Sequence, residues 1–181
     1  MDAWNFELTK FEEENGTELF HFDNEFPNRT RYYMIIQTQA VLEKQLKSLC
    51  DKVRIMHQMP FSMDDLKGNS DMEKGKLYLT RMYGINFRDL EPEWSYVNNM
   101  RKLRNQIIHH NGHFTIQDKE ILRLIEIIPE VNRMWDNVYE QMEEGQEYEI
   151  LISSKTLIEN YANAVKVLFR KLIDAIDQKN I

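Results

Sequence analysis

A chain with a single cysteine cannot close a disulfide within itself. Cys50 stands alone, which fits a reducing compartment. It lies beside Leu49 in a helical pattern, so it reads as a buried structural thiol rather than a nucleophile. No apolar run is long enough to span a bilayer. The opening Met1-Asp2-Ala3-Trp4 is acidic and mixed, unlike a signal peptide. We therefore expect a soluble, cytoplasmic protein with no membrane association. No Gly-rich phosphate-cradling loop and no G-x-S-x-G elbow occur. Positive charge is also in deficit. Lys and Arg number 23 against 30 Asp and Glu, a net charge of -7 with a pI of about 5.3. That argues against broad nonspecific binding of nucleic acid but leaves room for a small local basic cleft.

What is present reads as helix. At 181 residues the chain fits one domain spanning 1–181 with a sizeable core. It shows no internal repeat, low-complexity tract or domain linker. Residues 1–28 form an acidic, aromatic arm. Trp4, Leu8 and Phe11 suit a short helical stripe, Phe20, Phe22 and Phe26 alternate up to Pro27, and we expect these aromatics to pack on the bundle. A long helix follows from Arg29 to His57, with Ile35, Leu42, Leu49 and Met56 seven apart and Leu46 and Val53 between them. His57 reads as a solvated capping residue. Ser70-Asp71-Met72-Glu73 matches a capping box and opens a helix through Leu79 and Met82 that stops near Gly84, with Gly75 marking close packing. After the central helix, a pattern from Ile121 to Met142 predicts helix kinked at Pro129, or two abutting helices. Tyr148, Ile150 and Ile152 alternate as in a strand, and 113–116 is the nearest partner for it. Thr156 and Glu159 suit a capping box for a last helix running through Ile176. The fold class expected is all-α, an antiparallel helical bundle with a small β element around 113–116 and 147–152. The acidic run Glu140–Glu149 reads as a solvated turn.

Cationic, amide and imidazole groups crowd together in one stretch, Arg101 to Gly112. Pro92 suits a first helical turn and Asn111-Gly112 a helix stop, while Trp94, Val97, Met100, Leu103 and Ile107 recur at helical spacing. Arg101, Asn105 and His109, four apart, then share one face. Arg104 sits one step round the helix with a side chain long enough to reach the same edge. The ordinary alternatives are an Arg104–glutamate ion pair, an Asn105 bond to backbone, and a His109 cap on the helix C-terminus. His109, His110 and His113 suggest a metal. With Gly112 ending the helix they share no face, and no Cys or carboxylate of ligand spacing accompanies them, so we expect no metal and no cofactor.

Arg104-Asn105-x-x-x-His109 resembles the R-x4-H motif of HEPN domains (higher eukaryotes and prokaryotes nucleotide-binding), including the polar residue after the arginine and the turn that follows. By helical layout the resemblance extends from about Asn28 to the C-terminus, but only the motif matches residue by residue. The resemblance implies a helical bundle whose motif pairs across a homodimer. It also implies a metal-independent endoribonuclease of a toxin or phage-defence system, with an antitoxin or defence-system partner. The alternative is a non-catalytic HEPN-like dimerisation module that binds a partner protein or nucleotide. Some HEPN toxins carry a tyrosine two residues after the histidine, modified by a partner nucleotidyltransferase. Asn111 occupies that position here, so silencing at that tyrosine is not available.

The implied roles follow the chemistry of the side chains. Cutting RNA without metal needs a base for the ribose 2′-hydroxyl, a cation for the charged phosphorane and an acid for the leaving oxygen. Histidine exchanges protons near neutral pH, so His109 takes that role. Arg104 offers a fork of N–H donors to the phosphate, and Asn105 orients the imidazole or the phosphate. Arg101 and Lys102 steer the RNA backbone, and His110 is the substitute if the helix end is rotated. Two protomers supply two copies of His109, one as base and one as acid.

Overall fold

The computed structural model describes Gly16 and residues 21–134 and 143–179. Its helices are α1 (Phe26–Met56), α2 (Asp71–Leu77), α3 (Glu91–His110), α4 (Lys119–Ile127) and α5 (Thr156–Lys179). Its strands are β1 (His113–Phe114), β2 (Val131–Arg133) and β3 (Tyr148–Ile152). The fold is mainly α with a small β element, as expected. α3 packs on both α1 and α5, which also pack on each other. It runs antiparallel to them: Arg29 near the start of α1 bonds Asn111 at the end of α3, and Lys171 late in α5 pairs with Glu93 early in α3.

The helices bury the faces their apolar spacing marks out. α3 buries Trp94, Val97, Met100, Leu103 and Ile107. α1 buries Asn28, Tyr32, Ile35, Gln39, Leu42, Leu46, Cys50 and Val53. Burial pushes the Cys50 thiol up to about 12, so it is an inert core group. The seven-residue row from Ile35 does not hold to its end, because Met56 is 62% exposed. A straight helix turns every 3.6 residues, so a strict seven-residue repeat drifts about 20° per heptad off the core. The Ser70 hydroxyl accepts from Glu73 N–H at 3.2 Å, and the Glu73 carboxylate accepts from Asn69 N–H at 3.1 Å. The box thus closes one residue earlier than expected. A Cβ on Gly75 would lie 2.6 Å from Leu46, which is the close packing of α1 on α2 that the sequence signalled.

The three strands form an antiparallel sheet in the order β1-β3-β2. β2 corrects the helical reading of 121–142. Helix stops at Ile127, before Pro129, and Val131–Arg133 pairs with Ile150–Ile152. The open edge of β3 offers these residues backbone partners, and Val131 and Ile152 are both fully buried. Trp135, Val138 and Met142 lie outside the described residues, as do Trp4, Leu8, Phe11 and Phe20. Two further expectations need correction. Phe22 and Phe26 do not pack on the bundle; they are 72% and 68% exposed on and after the π-helical turn His21–Glu25. Thr156 is the first residue of α5 rather than its cap: its N–H is taken by the Ser154 hydroxyl at 3.1 Å.

β1 covers only the first half of its edge of β3. Ile150 N–H reaches Gly112 O at 3.0 Å, and beyond that point α1 replaces a strand. The Asn28 amide donates to Ile150 O at 2.9 Å and accepts from Ile152 N–H at 2.8 Å. Tyr32 donates its hydroxyl to Ile150 O, and Arg31 donates to Ile152 O at 2.9 Å. Burial first, then Glu149, raises the Tyr32 phenol well above its usual range, so it stays a donor. Asn28→Ala leaves the buried Ile152 N–H without its acceptor, while Ile150 O keeps Tyr32. We expect a loss of about 1–3 kcal/mol in denaturant unfolding, the cost of one orphaned buried group. A loss of only a few tenths would show that another group takes up the N–H.

Candidate functional site

The polar face of α3 forms one wall of a cleft of about 290 Å³. Arg101, Arg104, Asn105 and His109 line it from α3, Glu43 from α1, and Asn69, Ser70 and Asp71 from the cap of α2. Four of the six sequence-predicted site residues therefore meet in one place. The helical period puts Arg101, Asn105 and His109 in a row, and Arg104 reaches in from one step round. Lys102 and His110 are not brought there. Lys102 turns to α4 and pairs with Glu120 at 2.7 Å, and His110 is exposed outside the cleft.

The cations are held in different ways. Arg101 Nε donates to Asn98 at 3.0 Å, and its guanidinium lies 3.9 Å from Glu73. Arg104 donates through Nη1 to Asn105 Oδ1 at 3.0 Å. Its Nε is buried without a hydrogen-bond partner among the described residues. Among those residues no ion pair engages Arg104 or His109, so the ordinary Arg104–glutamate pair is not formed. With the Asn105 carbonyl taken by Arg104, its two amide N–H groups remain as donors. The cleft thus presents two guanidinium groups, an imidazole, amides and the Ser70 hydroxyl beside the carboxylates of Glu43 and Asp71, a set with donors for a phosphodiester-sized anion and groups for proton transfer beside it. Its volume is near the lower end for ligand sites, roughly 300 Å³ and above.

The end of α3 that carries His109 is fixed from three sides. Asn111 and Gly112 both take positive φ, 54° and 82°, and stop the helix. Gln106 donates its amide to His113 O. Arg29 donates to Asn111 O at 3.3 Å and pairs with Glu149 at 3.0 Å. Glu149 corrects the reading of the acidic run as wholly solvated. Glu143, Glu144 and Glu147 are exposed, but the Glu149 side chain is only 15% exposed. Its burial raises its carboxyl pKa, opposed by Arg29 and His113. His113 lies 3.7 Å from Glu147 and 3.9 Å from Glu149. Among the described residues no cluster of three His, Cys, Asp or Glu side chains could hold a metal, and no helix is long and apolar enough to cross a membrane.

Glu43 and Asn69 are the cleft residues the sequence did not mark. Ser70 and Asp71 were visible only as part of a helix cap. Glu43 follows Leu42 on the flank of α1 and carries no local signal, because its neighbours in the cleft are far away in sequence. No family model, curated protein or solved structure matches the chain.

Gly112 links the cleft to the fold. A Cβ there would lie 2.8 Å from the Tyr32 ring, in a conformation that side chains seldom adopt. Gly112→Ala should therefore destabilise by more than the roughly 1 kcal/mol typical of an incompatible glycine replacement, measured by thermal unfolding. Asn111→Gly, which keeps positive φ available, should be tolerated within about 0.5 kcal/mol.

Proposed function

We propose that this chain is a metal-independent endoribonuclease, a HEPN ribonuclease of a toxin or phage-defence system, cutting RNA by attack of the 2′-hydroxyl on the neighbouring phosphate. The observation that carries this reading is that Arg104, Asn105 and His109, at the R-x4-H spacing, line one cleft with the Arg104 guanidinium free of any ion pair among the described residues. Arg104 stabilises the charge that builds on the phosphorane, helped by Arg101. Asn105 donates to the phosphate. His109 moves a proton to or from a ribose oxygen. The other proton transfer falls to a second group, either the partner's His109 in a homodimer or a carboxylate in the cleft wall. Lys102, tied to Glu120, and His110, outside the cleft, take no part. The acidic balance of the whole chain is compatible with a short RNA contact made through the unpaired Arg104 guanidinium.

Removing either side chain should show this directly. His109→Ala and Arg104→Ala should each lower RNA cleavage by about 100-fold or more, with helicity and melting temperature nearly unchanged. Activity should survive EDTA, the product should end in a 2′,3′-cyclic phosphate, and a 2′-deoxy residue at the cut site should block the reaction. Dependence on added magnesium or manganese, or equal cutting of DNA, would overturn the mechanism.

A second copy of the chain has a surface to meet. Phe26, Tyr33, Met34 and Val41 lie on the face of α1 opposite the core, at steps of seven and eight, and are 68%, 63%, 45% and 55% exposed. Two such faces pair antiparallel about a twofold axis near Tyr33 and Met34. Light scattering at micromolar concentration should give twice the chain mass, and Tyr33→Asp should give the monomer. The competing reading, a binding module without catalysis, gains from the two carboxylates of the cleft, Glu43 and Asp71, which repel a bare phosphate. It takes over if the wild type cuts no RNA and is harmless on expression.

A further inference from the structure

A carboxylate beside two guanidinium groups normally neutralises one of them. Glu43 does not: among the described residues it forms no ion pair, although Arg101 and Arg104 line the same cleft. It is held instead from behind. Gln39, fully buried in the core, donates its amide to Glu43 Oε1 at 2.7 Å and accepts at its own carbonyl from the Tyr161 hydroxyl. Tyr161 is itself fully buried on α5. The Gln39 carbonyl thus faces the phenol, and its amide NH2 group faces Glu43 and the Met72 sulfur, 3.2 Å away. A neutral relay therefore crosses the bundle from α5 through α1, ending on one oxygen of a carboxylate that lines the cleft. Buried glutamine is costly unless both its ends are satisfied, and here both are, in a way that orients Glu43.

We infer that Glu43 is the general base of the proposed reaction, working with His109 of the same cleft as general acid. This rests on the ribonuclease reading and supplies its second proton-transfer group within one protomer. The Glu43 carboxylate takes the proton of the ribose 2′-hydroxyl. The oxygen so freed forms a bond to phosphorus. The bond from phosphorus to the 5′-oxygen breaks, and His109, protonated at the start, gives its proton to that leaving oxygen. The products are a 2′,3′-cyclic phosphate and a 5′-hydroxyl, and solvent restores the two protons to their starting places. Arg104 and Arg101 hold the phosphate between base and acid. The arrangement explains why an acid belongs in an anion-binding cleft: it faces the hydroxyl rather than the phosphate.

The charged and titratable groups facing Glu43 are Arg101, Arg104 and His109 from α3, Asp71 from the start of α2 and, through Gln39, Tyr161 from α5. Lys47, one turn along α1, is engaged by Asp64 at 2.8 Å. Glu43 must be ionised and His109 protonated together, so the rate should rise and then fall with pH.

The test is a pH–rate profile on a single-cut RNA oligonucleotide. Glu43→Gln keeps the acceptor for Gln39 but cannot take a proton. It should lower kcat by about 100-fold or more and remove the acid limb of the profile, with the melting temperature held. The 2′-deoxy oligonucleotide should bind Glu43→Gln at least as tightly as wild type, because a negative charge has left the cleft. Glu43→Asp, which withdraws the carboxylate by one methylene, should cut more slowly while keeping the acid limb, and serves if Glu43→Gln does not fold. Co-expressed Glu43→Gln and His109→Ala chains should not restore cleavage, since neither has both groups in one cleft. Wild-type kcat in Glu43→Gln, a reduced rate with the acid limb intact, weaker binding of the 2′-deoxy oligonucleotide, or restored cleavage on co-expression would each overturn the assignment. If the wild type cuts but Glu43→Gln cuts equally well, only this inference fails. A wild type that cuts no RNA removes the ribonuclease reading itself.

Discussion

The exposed backbone of β3 sets the terms for the rest of the molecule. β1 is two residues long, so Ile150 O and both polar groups of Ile152 run past its end on that edge. Buried backbone groups must find partners, and the first turns of α1 supply them through Asn28, Arg31 and Tyr32. That requirement fixes the start of α1 against the sheet. It also seats the Tyr32 ring against Gly112, where no side chain fits. The end of α3 is held by the same contacts, with Arg29 bridging Asn111 and Glu149. The position of His109 thus follows from the hydrogen-bonding needs of a strand far along the chain.

The cleft shows how a chain of net charge -7 can still present cations. Arg101 and Arg104 stand on the flank of a helix whose opposite face is wholly apolar, so packing alone orients them outward. Arg101 pairs with Glu73, but Arg104 forms no ion pair among the described residues, since Lys102 rather than Arg104 takes the glutamate of α4. The relay from Tyr161 through Gln39 works in the same direction. It satisfies one oxygen of Glu43 with a neutral donor, so the carboxylate is steadied without consuming a guanidinium.

Where the sequence reading went astray, a longer-range contact overrode a local pattern. Val131 continues the helical spacing of Ile121, Leu124 and Ile128, yet Pro129 interrupts the helix and β3 offers a ladder, so 131–133 is strand. Glu149 belongs to an acidic run by composition, but it occupies the strand position opposite His113 and beside Arg29, and is only partly exposed. Phe22 and Phe26 alternate like residues that pack inward, yet they remain exposed at the head of α1, where the core is already filled by Asn28 and Tyr32.

By itself the sequence determined the long helices, most of their apolar faces and the row of Arg101, Asn105 and His109, because these depend on periods of three to four residues within one segment. It determined the stop at Asn111-Gly112 and the alternation of β3 for the same reason. Only the tertiary structure decided which flanking cations face the cleft, that Lys102 turns away, and that Glu43, Asn69 and Asp71 complete the wall. Those outcomes depend on the crossing of α1, α2 and α3. Glu43 meets residues of α3 far away in sequence there, as do Asn69 and Asp71 at shorter separations, and no local spacing encodes that meeting.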